Sequence, residues 1–430
     1  MAELLEAYWE PDLSSGLVAK HRRGGRYRTY IPDSIVDRPL TVPPVLSQQA
    51  AQAERAIRNL SSGPGASGLA TISRFLLRSE AIASSMIEGI APSPQQVALA
   101  ELSQDETILG FSDQARLVAN NITILRRASQ ELVDADAVTP EDIVELHAAL
   151  LPDERHHGLR QVQNWIGGSN WNPLEAEFVP PPADLVPPLV ADLASYLNGS
   201  THGALLQAGI MHAQFETIHP FTDGNGRVGR ALIHTVLARR GLAPGAILPV
   251  SLVLSTLSER YVDGLTEYRY VGDPLATTST RGVNAWLATF IDATAIAAEQ
   301  AAKLAADIAE LHDSWDTRLG MHRISQGLRE EPRAGSAVSK ILRILPEAPV
   351  MTTSTAQRML KISFPPARAA LEELADAGIL SRRSVDRGTT GYLARDVLNL
   401  IGLAERRLAS TRFDTRLSAP GPQAPARPSD

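Results

Sequence analysis

The sequence predicts a mainly α protein: a helical core carrying a short β-hairpin, followed by a small C-terminal winged helix-turn-helix domain. Three observations lead there. Apolar residues recur at helical spacing through most of the stretch from Ser47 to His312. One segment, "NWIGGSNWNPLEAEFVPPP" (Asn164–Pro182), interrupts them with a Gly pair, Asn-Pro and a Pro triplet around "AEFV", as a loop or hairpin does. The stretch 336–395 then reads as three short helices followed by two short strands about a Gly-containing turn.

The chain has 430 residues, more than one core usually takes, so two or three domains are expected. We read 1–60 as an N-terminal associated segment, 61–312 as the main core, 336–400 as the winged helix, and 411–430 as a disordered Pro/Ala-rich tail. A linker, "REEPRAG" (329–335), makes the winged module separable, so deleting 336–430 should leave a folded core. No internal repeat is seen. Cysteine is absent, which excludes disulfides and thiolate metal sites and suits a reducing cytoplasm. The acidic start "MAELLEAYWEPD" lacks the pattern of a signal peptide, and no apolar run is long enough to span a bilayer. With a net charge of −7, any nucleic-acid contact must come from a local basic patch.

Element by element, "GGRYRTYIPDSI" (Gly24–Ile35) alternates aromatic and polar residues like a short strand, and "RPLTVPPVL" (Arg38–Leu46) is a Pro-punctuated linker. After a break at Ser61–Gly68, Leu69, Ile72, Phe75, Leu76, Ile82 and Met86 mark a helix over 69–89, with Gly89 and Pro92 as stop signals. Helices are expected at 112–132, 140–150, 184–197, 203–217, 227–240, 251–269 and 283–312. In the last module, a first helix ends at Leu345, "TSTAQRML" is a second, and Ser363 caps a third that ends at Gly378. It holds nine Lys/Arg against five Asp/Glu. That basic excess leaves DNA binding open, but Glu372 and Glu373 burden the presumed recognition helix and favour a docking or dimerisation role.

The chemistry concentrates in "IHPFTDGNGRVGR" (Ile218–Arg230). After Arg227 an apolar helical stripe (Val228, Ala231, Leu232, Thr235, Val236) runs to Gly241, so a loop turns into a helix at "DGNG". A helix N-terminus offers free N–H groups and positive dipole to an anion, and the glycines let the backbone come close. Arg227 and Arg230, three apart, share a face and can hold a polyphosphate. Asp223 suits Mg²⁺ shared with phosphates, and His219 can take a proton from an incoming hydroxyl. Cradle, metal and base together describe phosphoryl or nucleotidyl transfer; neither a Walker loop nor a Rossmann fingerprint occurs.

"HPFTDGNGRVGR" resembles the complete signature of Fic domains, and "LRQVQNWIGGSN" with "AEFVPPP" resembles the flap of that family. The resemblance covers about 61–300 and implies a Fic-type helical core that transfers AMP from ATP, with Mg²⁺, to a Ser, Thr or Tyr hydroxyl of a target protein. It implies His219 as base, Asp223 as metal ligand, and Gly224, Asn225 and Gly226 as anion hole. Arg227 and Arg230 would hold the β- and γ-phosphates, and Phe221 would fix the loop. "SSMIEG" resembles the family's inhibitory signature through Ser84, Glu88 and Gly89, with Arg230 as partner of Glu88. Glu88, in a last helical turn, would need such a cation, since the dipole there disfavours an anion. Ala176, Glu177, Phe178 and Val179 would form the strand that pairs with the target backbone. Tyr261 would stack near the adenine, or is a core tyrosine. A homodimer is also implied. Other readings remain: a nucleotide-sensing transcriptional regulator, or an enzyme that removes AMP or uses another nucleotide. His156–His157 and His212 show no zinc spacing and are read as structural.

Overall fold

A computed structural model describes the chain except residues 12–17, 37, 63–71, 244, 246 and 413–430. The elements run β1 (Glu3–Trp9), α1 (Ala19–Arg22), β2 (Gly25–Ile31), α2 (Pro44–Ser62), α3 (Ser73–Ile87), α4 (Pro94–Leu102), α5 (Asp113–Ser129), α6 (Glu131–Asp134), α7 (Pro140–Ala148), α8 (Val186–Gly199), α9 (Ala204–Ile218), α10 (Asn225–Arg239), α11 (Val250–Thr256), α12 (Ser258–Tyr268), α13 (Thr277–Ser325), α14 (Ala337–Ile344), β3 (Val350–Met351), α15 (Thr353–Leu360), α16 (Phe364–Asp376), β4 (Ser381–Asp386), β5 (Thr389–Leu393) and α17 (Arg395–Arg412). The fold is mainly helical with two small antiparallel sheets, as expected. Among the described residues, no helix is long and apolar enough to cross a membrane.

Two compact units form: residues 1–92 with 111–302, and residues 93–110 with 303–430. The division differs from the one read in the sequence. The second unit starts at 303, inside the 49-residue helix α13, and takes in an early segment.

In the first unit, α9 lies at the centre, with Ala204, Leu205 and every residue from Gln207 to Ile218 buried. Its polar residues (Gln207, His212, Gln214, Glu216 and Thr217) do not gather on one side, and a helix without a polar face belongs inside. α9 and α10 form a hairpin around the motif loop, and α3 packs against α5, α10 and α11. Trp286 of α13 donates its indole N–H to the Gly209 carbonyl at 2.8 Å. A Cβ at Gly209 would stand only 3.0 Å from Leu287 and Phe290, so glycine sets that helix crossing. β2 pairs with β1 in an antiparallel hairpin, Tyr30 opposite Leu4. The strand expected in Gly24–Ile35 is β2; β1 was not foreseen. The expected 251–269 helix breaks at Leu257 into α11 and α12, and 283–312 extends both ways into α13.

In the second unit, α14, β3, α15, α16, β4 and β5 follow in order, with the sheet ordered β3-β5-β4. Tyr392 and Leu393 of β5 sit between Val350–Met351 and Ser381–Arg382. The segment 93–110 joins this fold. α4 packs against β3 and α17. Glu106 accepts from the hydroxyls of Thr352 (2.6 Å) and Thr355 (2.7 Å), and the Leu109 N–H donates to the Val385 carbonyl at 2.8 Å. The start of the helix expected over 69–89 and all but two residues of the expected 411–430 tail lie outside the described residues.

Candidate active site

The motif begins where α9 ends. His219 caps that helix in the left-handed region (φ 49°, ψ 60°), its N–H donating to the Phe215 carbonyl at 2.9 Å. A non-glycine residue there is uncommon and needs outside support. The following loop is folded by its own side chains. Asn225 Oδ1 accepts the Phe221 N–H and its Nδ2 donates to the Phe221 carbonyl, both at 2.8 Å. Phe221 is fully buried and stacks on the His147 ring at 3.8 Å. The other edge of His147 meets the Asp223 carbonyl, Nε2 to O 2.9 Å. Burial holds the His147 pKa down at about 4, so the ring is neutral and donates there.

Gly224, at φ 79°, turns the chain into α10. From there every residue to Ala238 is buried, including both arginines, at 2% exposure for Arg227 and 1% for Arg230. This rules out surface arginines on a capped helix. Arg230 donates Nε to Ser84 Oγ at 2.9 Å, and Nη2 to the Ser84 carbonyl at 2.8 Å and to Glu88 Oε1 at 2.7 Å. Arg227 stays largely unpaired: Nη2 lies 3.5 Å from Asp223 Oδ1, and its Nε and Nη1 have no hydrogen-bond partner among the described residues. A buried guanidinium with free N–H groups is costly, and an arriving anion would relieve it.

Glu88 caps α3, and Gly89 follows at φ 76°. Its carboxylate sits on the α10 N-terminus: a Cβ at Gly226 would fall 1.9 Å from Glu88 Oε1. Burial works to raise the Glu88 pKa, but the Arg230 guanidinium reverses this and holds it below the usual carboxylate value. The carboxylate therefore stays charged, and occupies the place where the helix end and two guanidiniums would receive a phosphate. Below it on α3, buried Glu80 accepts from the Ser251 N–H at 2.8 Å and meets His234 at 3.1 Å, fixing α3 along α10.

His219 is half-buried and its Nδ1 lacks a partner among the described residues. Burial first, then the positive charge of Arg160, lowers its pKa to about 4, so the ring is neutral at neutral pH and free to accept a proton. Asp223 projects outward with its side chain 57% exposed, Oδ1 accepting the Gly224 N–H at 2.6 Å.

The flap is a single antiparallel bridge, Ile166 to Phe178, with Ile166 N–H to Phe178 O at 2.8 Å. Ala176, Glu177, Phe178 and Val179 thus form a hairpin arm, and the Tyr30 N–H of β2 donates to the Val179 carbonyl at 2.9 Å. Asn164, at the start of this segment, reaches the motif loop: its Nδ2 donates to the Phe221 carbonyl at 3.0 Å. Tyr261 is a core residue. It is 4% exposed, its hydroxyl meets His212 Nε2 at 2.8 Å, and its ring packs near Trp286, leaving no open face for a base. Sequence reasoning passed over Arg160 and His147. Both act on backbone carbonyls, which leave no pattern in a sequence.

Residues 137–237 match a model of the Fic/DOC family. A probable protein adenylyltransferase of Aquifex aeolicus is 41% identical over 85 residues, 20% of this chain and 27% of that protein. A protein adenylyltransferase of Caenorhabditis briggsae is 27% identical over 174 residues, 39% of this chain and 31% of its own length. The chain thus spans about a third or less of the curated relatives it matches. The crystal structure of a Fic family protein from Desulfovibrio desulfuricans G20 aligns over 83% of this chain and 97% of its own at 20% identity, with a TM-score of 0.47.

Proposed function

We propose that the protein transfers AMP from ATP to a Ser, Thr or Tyr hydroxyl of a target protein, and that Glu88 restrains it. One observation carries the reading: a buried, half-unpaired Arg227 and an Arg230 held by Glu88, both at the glycine-lined N-terminus of α10. That is a polyanion cradle with an internal carboxylate in it.

In the reaction, the hydroxyl oxygen attacks the α-phosphorus and the bond to the α–β bridging oxygen breaks. Pyrophosphate leaves, and the hydroxyl proton passes to the neutral His219 ring. Gly224, Asn225 and Gly226 line the α- and β-phosphates with their backbone, the Gly224 N–H being available once Asp223 Oδ1 releases it, and Arg227 and Arg230 hold the β and γ groups. Mg²⁺ fits this donor set: it keeps most of its waters and needs one or two carboxylates beside the phosphates, and the exposed Asp223 carboxylate supplies one and would let the ion neutralise phosphate charge. The hairpin Ala176–Val179 offers backbone groups to an extended target segment. Incorporation of labelled AMP by the parent, Glu88→Gly and His219→Ala proteins tests the reading. No incorporation by Glu88→Gly would end it.

The second unit has the element order of a winged helix. The acidic burden on α16 is neutralised from within: Glu372 accepts from Arg382 Nε (2.7 Å) and the Tyr392 hydroxyl (2.7 Å), and Glu373 pairs with Arg323. Exposed Lys361, Arg368 and Arg387 then dominate the charge near α16 and the β4–β5 turn. This favours DNA as a second partner over the sequence-based lean towards docking. Mobility shift of duplex DNA by the parent and by Arg368→Glu decides; equal shifts in both discard it.

A further inference from the structure

The catalytic loop rests on a buried side chain that the motif does not contain. Arg160 is 3% exposed and has no carboxylate partner among the described residues. Its guanidinium is instead spent on carbonyls. Nε donates to His219 O at 2.9 Å, Nη1 to Val162 O at 3.1 Å, and Nη2 to Pro181 O at 2.6 Å and Ile218 O at 3.3 Å. Its own N–H donates to Pro220 O at 2.9 Å.

These acceptors belong to three places. Ile218 and His219 are the C-terminal end of α9, whose unpaired carbonyls favour a cation. Pro220 is the first loop residue after the histidine. Val162 and Pro181 are the two ends of the flap segment. One planar fork therefore ties the left-handed His219 to both flap ends.

We infer that Arg160 is a positioning residue that holds His219 in register with the flap and sets a fixed positive charge beside its ring. This rests on the reading of His219 as base. The geometric part follows from the fork: four carbonyls lie in different directions, and a lysine ammonium, a point donor, cannot reach them all. The electrostatic part follows from a full charge beside the imidazole. Other groups act on that ring as well. Glu88, at the end of α3, favours its protonation; Arg269, beyond α12, opposes it; and the Glu216 carbonyl, on α9 itself, favours it. Arg160 is the largest charged contributor in that set, after burial.

The experiment uses the full chain with Glu88→Gly as parent, and compares Arg160→Lys, Arg160→Met and His219→Ala for AMP incorporation, ATP affinity and pH profile. Lysine keeps the charge and loses the fork; methionine loses both. Both variants should bind ATP like the parent and lose rate, about a hundredfold, the effect of roughly 1 Å of misplacement. Only Arg160→Met should lose activity nearer to neutral pH on the acid side, because its His219 reverts towards the ordinary histidine value. Parent-like rates in Arg160→Lys would overturn the proposal, as would weakened ATP binding in that variant, which would mark a merely structural role. An acid limb unmoved in a folded Arg160→Met would also overturn it; if that variant does not fold, the lysine arm decides alone. Transfer retained by His219→Ala would instead refute the reading of the base.

Discussion

Glu88 Oε1 lies 2.7 Å from Arg230 Nη2, across 142 residues of sequence, and the same carboxylate touches the space above Gly226. The two residues belong to different helices, α3 and α10, that Ser84 and Glu80 also pin together. Arg230 loses hydration by burial, yet Glu88 raises its pKa overall.

That pair sets the first prediction. Glu88→Gly should raise labelled AMP incorporation by well over tenfold, and adding Arg230→Ala should remove the gain. The restraint should be constant through neutral pH. A carboxyl whose folded pKa is depressed keeps its interaction above the unfolded value and loses it only as pH falls through the folded one. Equal incorporation by parent and Glu88→Gly would sink the restraint. Lower incorporation together with lost AMP removal would make Glu88 a catalytic group for hydrolysis of the AMP ester, positioning the water.

Base and metal ligand separate next. His219→Ala should abolish transfer and leave ATP binding intact, since the ring stands outside the α10 cradle. Asp223→Ala should keep binding but lose its Mg²⁺ dependence, because the exposed carboxylate is the oxygen donor beside the phosphates. Calorimetric ATP titrations with and without Mg²⁺ check both. An undiminished Mg²⁺ effect in Asp223→Ala would assign the metal elsewhere.

How much of this was legible follows physical lines. His219 to Arg230 form one contiguous run, so their chemistry and the loop-to-helix turn could be read together. The α10 arginines were expected on one face, but their burial was not, since burial depends on α3, far away in sequence. His147 binds a carbonyl and Glu216 is the lone acid of a buried helix, and neither makes a pattern; Arg160 lies in the quoted flap stretch, but its carbonyl partners leave no mark on the sequence. Helix α4 does not stand out in the sequence because Gly89 and Pro92, just before it, signal a stop. Ser93 caps the new helix, accepting from the Gln96 N–H at 3.4 Å, with Pro94 in its first turn. The division of the chain differs from the sequence reading for a similar reason: a linker-like "REEPRAG" is visible in sequence, whereas the membership of 93–110 in the second unit is purely tertiary.

Because of that membership, deleting 336–430 should not leave a well-behaved core. It removes β3 and α17, against which α4 packs, and Val97, Leu99 and Leu102 of α4 are buried. Each such side chain contributes about 1.5–3 kcal/mol when fully buried. Glu106 would lose Thr352, Thr355 and Arg358 together. The truncated chain should aggregate in size-exclusion runs or melt well below the full chain. Removing 303–430 and bridging 92 to 111 with a short Gly-Ser linker should restore a soluble, ATP-binding first unit. A clean monodisperse 1–335 chain with the parent melting temperature would refute the division.

Glu216 gives the last prediction, a pH dependence of stability. It sits one turn before His219 on α9, 7% exposed, and its Oε1 has no partner among the described residues. Gly229 makes room for it: a Cβ there would stand 2.8 Å from that oxygen. Burial raises its pKa from 4.5 to about 7, with Arg230 pulling the other way and Glu88 adding to the rise. The folded chain therefore keeps this proton where the unfolded chain has released it. Stability is full below about 4.5, falls as pH climbs towards about 7, and is constant above. A displacement from 4.5 to about 7 corresponds to a loss on the order of 3 kcal/mol. Glu216→Gln keeps the shape and removes the titration, so its melting temperature relative to the parent should rise between mildly acidic and mildly alkaline buffer. Calorimetric melts of both proteins across that range check it. A difference that stays constant with pH would mean that Glu216 is already ionised in the fold, held by Arg230 as a second carboxylate beside Glu88.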